Sequence, residues 1–198
     1  MIRQMFAALS VVLGVATLSG TGCKATGVGD PCTPEQEFDP AFNGFDEKEV
    51  NAESKSFQCQ TRLCLVNHFR GRVSCKFGQK SDGTPRDPEQ PCVVPGTSDP
   101  ITGDPNNTSK KAEVPAQCAS RTSDRAVYCS CRCANADGRT DDGANYCTCP
   151  DGFQCEQLVT PIGPLDTGLT GAYCIKATTK YNAAEACVSC DPTSGNCK

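Results

Sequence analysis

Seventeen cysteines in a chain of 198 residues restrict its folding more than any other feature. Seven of them fall between Cys118 and Cys155. Within that stretch Cys129, Cys131 and Cys133 alternate with Ser130 and Arg132, and Cys147 and Cys149 flank Thr148. In an extended run, alternate side chains share a face and two residues advance roughly 6.6 Å. A disulfide needs its Cβ atoms about 3.5–4.5 Å apart. Cysteines spaced C-x-C along a strand are therefore badly placed to bond each other, and each must reach another segment. The Asn-, Asp- and Gly-rich stretch from Ala134 to Tyr146 suits the turn of a hairpin-like core between the two runs.

Such cysteine density marks a disulfide scaffold made in an oxidising compartment. There is no Trp, while Gly and Pro number 18 and 14. A chain so poor in large apolar residues has difficulty offsetting its conformational entropy by burial alone. The expected fold is small and disulfide-rich, with short β-strands and hairpins, irregular loops and little helix. The net charge of −4 lacks the basic footprint that nucleic acid requires. Charge is nonetheless uneven. Residues 30–57 hold eight acids and two lysines, whereas residues 58–80 hold five bases and no acid. The expectation is that the two segments neutralise each other.

Arg3 is followed by an apolar run from Met5 to Leu18, then Ser19-Gly20-Thr21-Gly22 and Cys23. The run is short for a membrane span and has the layout of an export signal. Ending on a cysteine, it resembles a bacterial lipoprotein signal, although Gly20 stands where that class usually has Leu. The resemblance covers residues 1–23. It implies cleavage before Cys23, lipid on Cys23 and, with Lys24 following, placement in the outer membrane or at the cell surface. Without a lipid, the chain would be secreted or periplasmic. An odd cysteine count in an exported chain needs an explanation. Setting Cys23 aside leaves sixteen to pair: Cys32, Cys59, Cys64, Cys75, Cys92, Cys118, Cys129, Cys131, Cys133, Cys147, Cys149, Cys155, Cys174, Cys187, Cys190 and Cys197.

The expected organisation is a signal peptide over 1–22, a tether over 23–29 and a four-cysteine module over 30–80. A proline-rich linker or loop over 81–117 and a cysteine-rich β module over 118–198 follow. Four and twelve cysteines lie on either side of a boundary near residues 79–90, so each part has an even number and self-closure is expected. In the first module, Leu63–Val66 reads as a buried strand with Arg72–Cys75 as its return. Asp39-Pro40 suits a helix start, with Phe38, Phe42 and Phe45 at near-helical spacing and packed on a small core. Residues 81–115 hold half the prolines and read as extended, solvated backbone without a core. Strands are expected over 154–159 and 172–176, joined by a loop over 160–171.

Chemistry-bearing motifs are few. Asn135-Ala136-Asp137-Gly138-Arg139-Thr140-Asp141 resembles part of an EF-hand calcium loop. Its first and twelfth ligand positions fall on Cys133 and Ala144, so a glycine-rich turn is expected, with no metal and no cofactor. Cys149-Pro150-Asp151-Gly152-Phe153 is similar to the end of an epidermal-growth-factor-like repeat, but Cys155 follows too soon. It reads as convergence on a stapled turn. Cys187-Val188-Ser189-Cys190 has redox spacing without a strand–helix setting. His68 is the only histidine, which removes any cluster of histidine ligands. The functional expectation is a non-catalytic binding or structural role at the cell envelope, held to the membrane by a lipid at Cys23, with a protein or a glycan as the partner. The alternatives are a hydrolase inhibitor presenting the 160–171 loop, and a thiol–disulfide protein working through Cys187 and Cys190.

Overall fold

A computed structural model describes residues 27–104, 106–107, 109–160 and 169–197. The signal peptide, Cys23 and most of the 160–171 loop lie outside the described residues. The architecture is two three-stranded antiparallel sheets, small and disulfide-rich. The first has the order β1 (Val50–Glu53), β2 (Leu63–Asn67), β3 (Val127–Ser130). The second runs β4 (Arg132–Ala134), β6 (Gly171–Lys176), β5 (Phe153–Val159). Among the described residues, helix amounts to one 3-10 turn, Glu35–Phe38, and one α turn, α1 (Ser123–Ala126).

Period-two alternation explains how the sheets stack. On β2, Leu63 and Leu65 face a layer shared with Tyr128 of β3 and with Tyr173 and Ile175 of β6. That layer is the core between the sheets. Cys64 and Val66 point the other way, with Val127 and Cys129, into a cluster with Phe45 and Phe69. On β6, Ala172 and Cys174 face outward into a layer made with Cys131, Cys133 and Ala134. The run Val127–Ala134 is extended, as its alternation predicts. It leaves the first sheet after Ser130 and joins the second at Arg132. A strand changing sheets in this way forms a corner between them. Cys129 therefore anchors the outer layer of one sheet, and Cys131 and Cys133 that of the other.

Eight disulfides join the sixteen cysteines after Cys23: Cys32–Cys64, Cys59–Cys129, Cys75–Cys92, Cys118–Cys187, Cys131–Cys147, Cys133–Cys155, Cys149–Cys174 and Cys190–Cys197. No C-x-C neighbours bond each other. The self-closure expected of residues 30–80 does not occur. Cys59 and Cys75 pair beyond residue 80, and β2 shares its sheet with β3. Even counts on both sides of a boundary allow separate closure without requiring it.

Other expectations need correction. Residues 81–117 bury Val94, Ile101, Ala112 and Val114 around the Cys75–Cys92 bond, so the proline-rich segment has its own small core. Gln79 brackets it by exchanging backbone hydrogen bonds with Val114 and donating its side-chain amide to the Ala112 carbonyl at 2.8 Å. The partners of β2 are β1 and β3, while residues 72–75 form a tight turn. The helical turn precedes Asp39 rather than following it, and Phe42 and Phe45 meet edge to face at 4.8 Å between ring centroids. Cys147–Cys149 is not a strand, although the Cys147 N–H donates to the Arg132 carbonyl. The end of the expected tether is docked. The Gly29 N–H donates to the Cys129 carbonyl, and the Cys129 N–H donates to the Asp30 carbonyl, both at 2.8 Å, which covers the outer edge of β3.

Gly71 is where the first sheet meets the proline-rich segment. Its φ is +87°, and a Cβ there would stand 2.4 Å from the Pro115 carbonyl oxygen. Only glycine adopts this conformation while letting the backbones approach so closely.

Candidate functional site

One cleft, of about 510 Å³, is built from three distant segments. Residues 70–86 supply Arg70, Lys80, Pro85 and Arg86. Residues 113–116 supply Glu113, Pro115 and Ala116, and residues 189–193 close the third side. Arg70 is fixed by donating to the Ala116 carbonyl at 2.9 Å and to Ser189 Oγ at 2.7 Å. Arg86 lies 3.8 Å from the Glu113 carboxylate. Asp191 accepts from the Thr193 hydroxyl and N–H, which holds its carboxyl below the usual range. Prolines 85, 115 and 192 make much of the wall, and the lining cysteine, Cys190, is bonded to Cys197. The cleft contains no histidine and no thiol. It is a polar cleft that sets three cations against two carboxylates beside an apolar wall.

A second surface lies at the end of β1, a groove of about 360 Å³ between Phe38 and Phe57. Phe57 is 85% exposed and Phe38 49%. The Arg62 guanidinium sits 4.1 Å from the Phe57 ring centroid, close enough for a cation–π contact. The groove wall is pinned from both sides. The Gln58 amide exchanges hydrogen bonds with the backbone of Thr33, next to Cys32, and Gln58 itself precedes Cys59. Glu53 accepts from the Glu35 N–H at 3.0 Å.

Of the acids in residues 30–57 and the bases in 58–80, only Glu37 and Arg72 form an ion pair with each other, and that pair is buried. Arg72 and Glu37 have fully buried side chains, with Arg72 Nε 3.3 Å from Glu37 Oε2. Arg72 also donates to the carbonyls of Glu37, Asp39 and Phe42. Glu37 accepts from the Val73 N–H at 2.7 Å and from the Ser74 hydroxyl at 3.0 Å. Burial pulls the Arg72 guanidinium below its ordinary value, opposed by the Glu37 charge. The pair organises the fold and is closed to ligands. Arg62, Arg70 and Lys80 serve instead at the two surfaces described above.

His68 lies apart from both surfaces. It stacks on Tyr181, with centroids 3.9 Å apart, and its Nδ1–H donates to the Glu47 carbonyl at 3.0 Å. Burial, with the nearby Arg121 charge, lowers its pKa. Arg121 donates to the carbonyls of Asn67, His68 and Thr179, tying the strand end to the C-terminal tail.

Cys187 and Cys190 are not partners, so the C-x-x-C spacing does not form a redox disulfide. In the EF-hand-like loop, Asn135 Oδ1 accepts from the N–H groups of Asp137 and Arg139. Arg139 stands 3.9 Å from both the Asp137 and Asp141 carboxylates. A side-chain cation thus sits between the acids that a calcium ion would bind. Among the described residues, the groups spaced to hold a metal are clusters of cysteines already in disulfides, such as Cys131, Cys147 and Cys174. The cleft is not legible in the sequence, because its cations come from residues distant from 189–193 in the chain. Nor is the exposure of Phe57, since a lone Phe two positions before Cys59 carries no local signal.

No family model, curated protein or solved structure matches this chain.

Proposed function

We propose that this is an exported, lipid-anchored protein of the cell envelope with a non-catalytic binding role, displayed at the outer membrane or cell surface. The observation that carries this reading is the pairing of the sixteen later cysteines, which leaves Cys23 over at the end of an apolar signal. Eight disulfides require an oxidising compartment. Among the described residues no helix is long and apolar enough to cross a membrane, and the attachment in this reading is the lipid on Cys23. The polar cleft and the aromatic groove favour binding over a purely structural role.

Metabolic labelling with a fatty-acid probe tests the anchor. The native protein should label and partition into detergent, and Cys23→Ser should do neither while still exposing no thiol before reduction. A soluble native protein with a free amino terminus at Cys23 would overturn the reading.

A second reading, inhibition of a hydrolase, draws on the β5–β6 hairpin. Cys155 of β5 is bonded to Cys133 and Cys174 of β6 to Cys149. The 160–171 loop springs from that stapled base. Tight inhibition of a serine protease, lost when the loop is cut, would support it.

A further inference from the structure

The strand edges of the first sheet are treated differently. The outer edge of β3 is covered by Gly29 and Asp30. The outer edge of β1 has no backbone partner among the described residues, since Val50–Glu53 bond only to β2. Unpaired edge N–H and C=O groups form a template for another strand. In the second sheet β5 also has a bare edge, but it runs straight into residues 161–168, outside the described residues, so it carries no argument.

Charge selects the occupant of the β1 edge. Asp46, Glu47 and Glu49 precede the strand, and Glu35 and Glu53 stand at its far end. Lys48 and Lys55 offset only part of this, and Glu37 is consumed inside by Arg72. A second copy pairing edge to edge would set these acids against each other, and directly opposed like charges destabilise a strand pair. An extended basic segment meets them favourably. Beyond Glu53 it reaches the Phe38–Phe57 groove, whose lining residues Thr33 and Gln58 directly follow Cys32 and precede Cys59 of two staples and are therefore preorganised. An exposed aromatic backed by an arginine has the composition of an interface anchor.

We propose that the β1 edge and the adjoining Phe38–Phe57 groove bind an extended, basic polypeptide segment by strand addition, with one apolar side chain of the partner seated between the two rings. This rests on the binding role above and names its partner class.

The test uses the exported full chain carrying Cys23→Ser, so neither lipid nor detergent is present and the outcome is independent of anchoring. The probe is a dye-labelled eight-residue peptide of alternating lysine and valine. Saturable binding is expected, with amide NMR shifts at residues 50–53 and 57. Methylating alternate backbone nitrogens of the peptide should weaken binding at least tenfold, because strand addition uses those N–H groups. Glu35→Lys with Glu49→Lys should weaken it about as much, and Phe57→Ser severalfold, in variants that retain the parent melting temperature. Four outcomes would each overturn the proposal: no binding, binding indifferent to N-methylation, equal binding of an alternating glutamate–valine peptide, or shifts at Phe57 produced by a neutral oligosaccharide such as maltohexaose and not by the peptide. A β1-paired dimer in sedimentation would assign the edge to a second copy and overturn it as well. Failure of the peptide alongside normal fatty-acid labelling of the native protein would remove this partner and leave the anchored-protein reading standing.

Discussion

The two sheets are of equal strand number and are held together by different means. In the first, every residue of β2 is buried, and the cluster beneath it includes Phe45, Phe69, Val66 and Val127. It adjoins a buried ion pair whose partners also take up backbone donors and acceptors. In the second, β5 is half-exposed or exposed along its whole length. The outer layer there is mostly cysteine and alanine. Cys174 Sγ lies 3.6 Å from Cys147 Sγ and 3.8 Å from Cys131 Sγ, so the Cys149–Cys174 and Cys131–Cys147 bonds touch. Where large apolar side chains run out, covalent closure takes over by restricting the unfolded chain. The first sheet adds large apolar side chains to its Cys32–Cys64 and Cys59–Cys129 staples, whereas the outer layer of the second, beyond the shared Tyr173 and Ile175 core, rests mainly on disulfides.

The strongest way to break this contrast is to remove a charge from the buried pair. Arg72→Ala leaves Glu37 buried without its partner and three carbonyls without their donor. It should cost roughly 3–5 kcal/mol, read by denaturant unfolding with disulfides intact. A cost below about 1 kcal/mol, the size of an exposed pair, would show that the first sheet does not depend on its buried polar network.

Next in size is the double change Cys149→Ala with Cys174→Ala. Loss of this loop closure should cost roughly 3 kcal/mol. Hydrogen exchange should show β5 and β6 losing protection while β2 keeps it. Equal loss in β2 would mean that the two sheets unfold as one unit, and the comparison would fail.

A smaller effect bears on the proline-rich segment. Ile101 is fully buried beside Val114 and the Cys75–Cys92 bond. Ile101→Val should cost about 1 kcal/mol, the usual loss for one buried methylene. No change at all would return the segment to the status of a solvated linker.

The smallest effect is pH dependence at the junction between sheet and tail. His68 has a lowered pKa in the folded chain, chiefly from burial and then from the Arg121 charge, against the Glu47 carbonyl that favours the proton. Its other close neighbour is the Tyr181 ring. The unfolded chain therefore takes up a proton first as pH falls through about 6.5. Stability is full above that value and should decline between pH 7 and 5. The lowered carboxyls act only in stronger acid. Asp142, held to about 2 by hydrogen bonds from Tyr146 and then Asn135, is the clearest case. His68 has a φ of +50°, a conformation that asparagine tolerates. His68→Asn should flatten the melting temperature over pH 5–7. An unchanged slope would show that the junction does not respond to this proton.

The strands over 154–159 and 172–176 were legible because short alternating runs between turn residues carry their own signal, and they match β5 and β6 to within a residue. The rule that C-x-C neighbours cannot bond each other follows from backbone dimensions and holds at every such pair. The core of the proline-rich segment was not legible. Val94, Ile101, Ala112 and Val114 are too widely spaced to show any period, and they meet around the bond between Cys75 and Cys92. The open edge of β1 was equally hidden. Whether a strand lies at an edge depends on which segments pair with it, and β3, which completes that sheet, lies some sixty residues downstream of β2.

By itself, the sequence determined that the chain is a disulfide scaffold of short strands with little helix, because cysteine density, scarce apolar bulk and abundant Gly and Pro are compositional facts. Tertiary structure alone decided which cysteine meets which, that one extended run is shared between two sheets, and that Arg72 goes inside while Arg70 faces a cleft. Those outcomes turn on distances between segments far apart in the chain, and local sequence does not encode such distances.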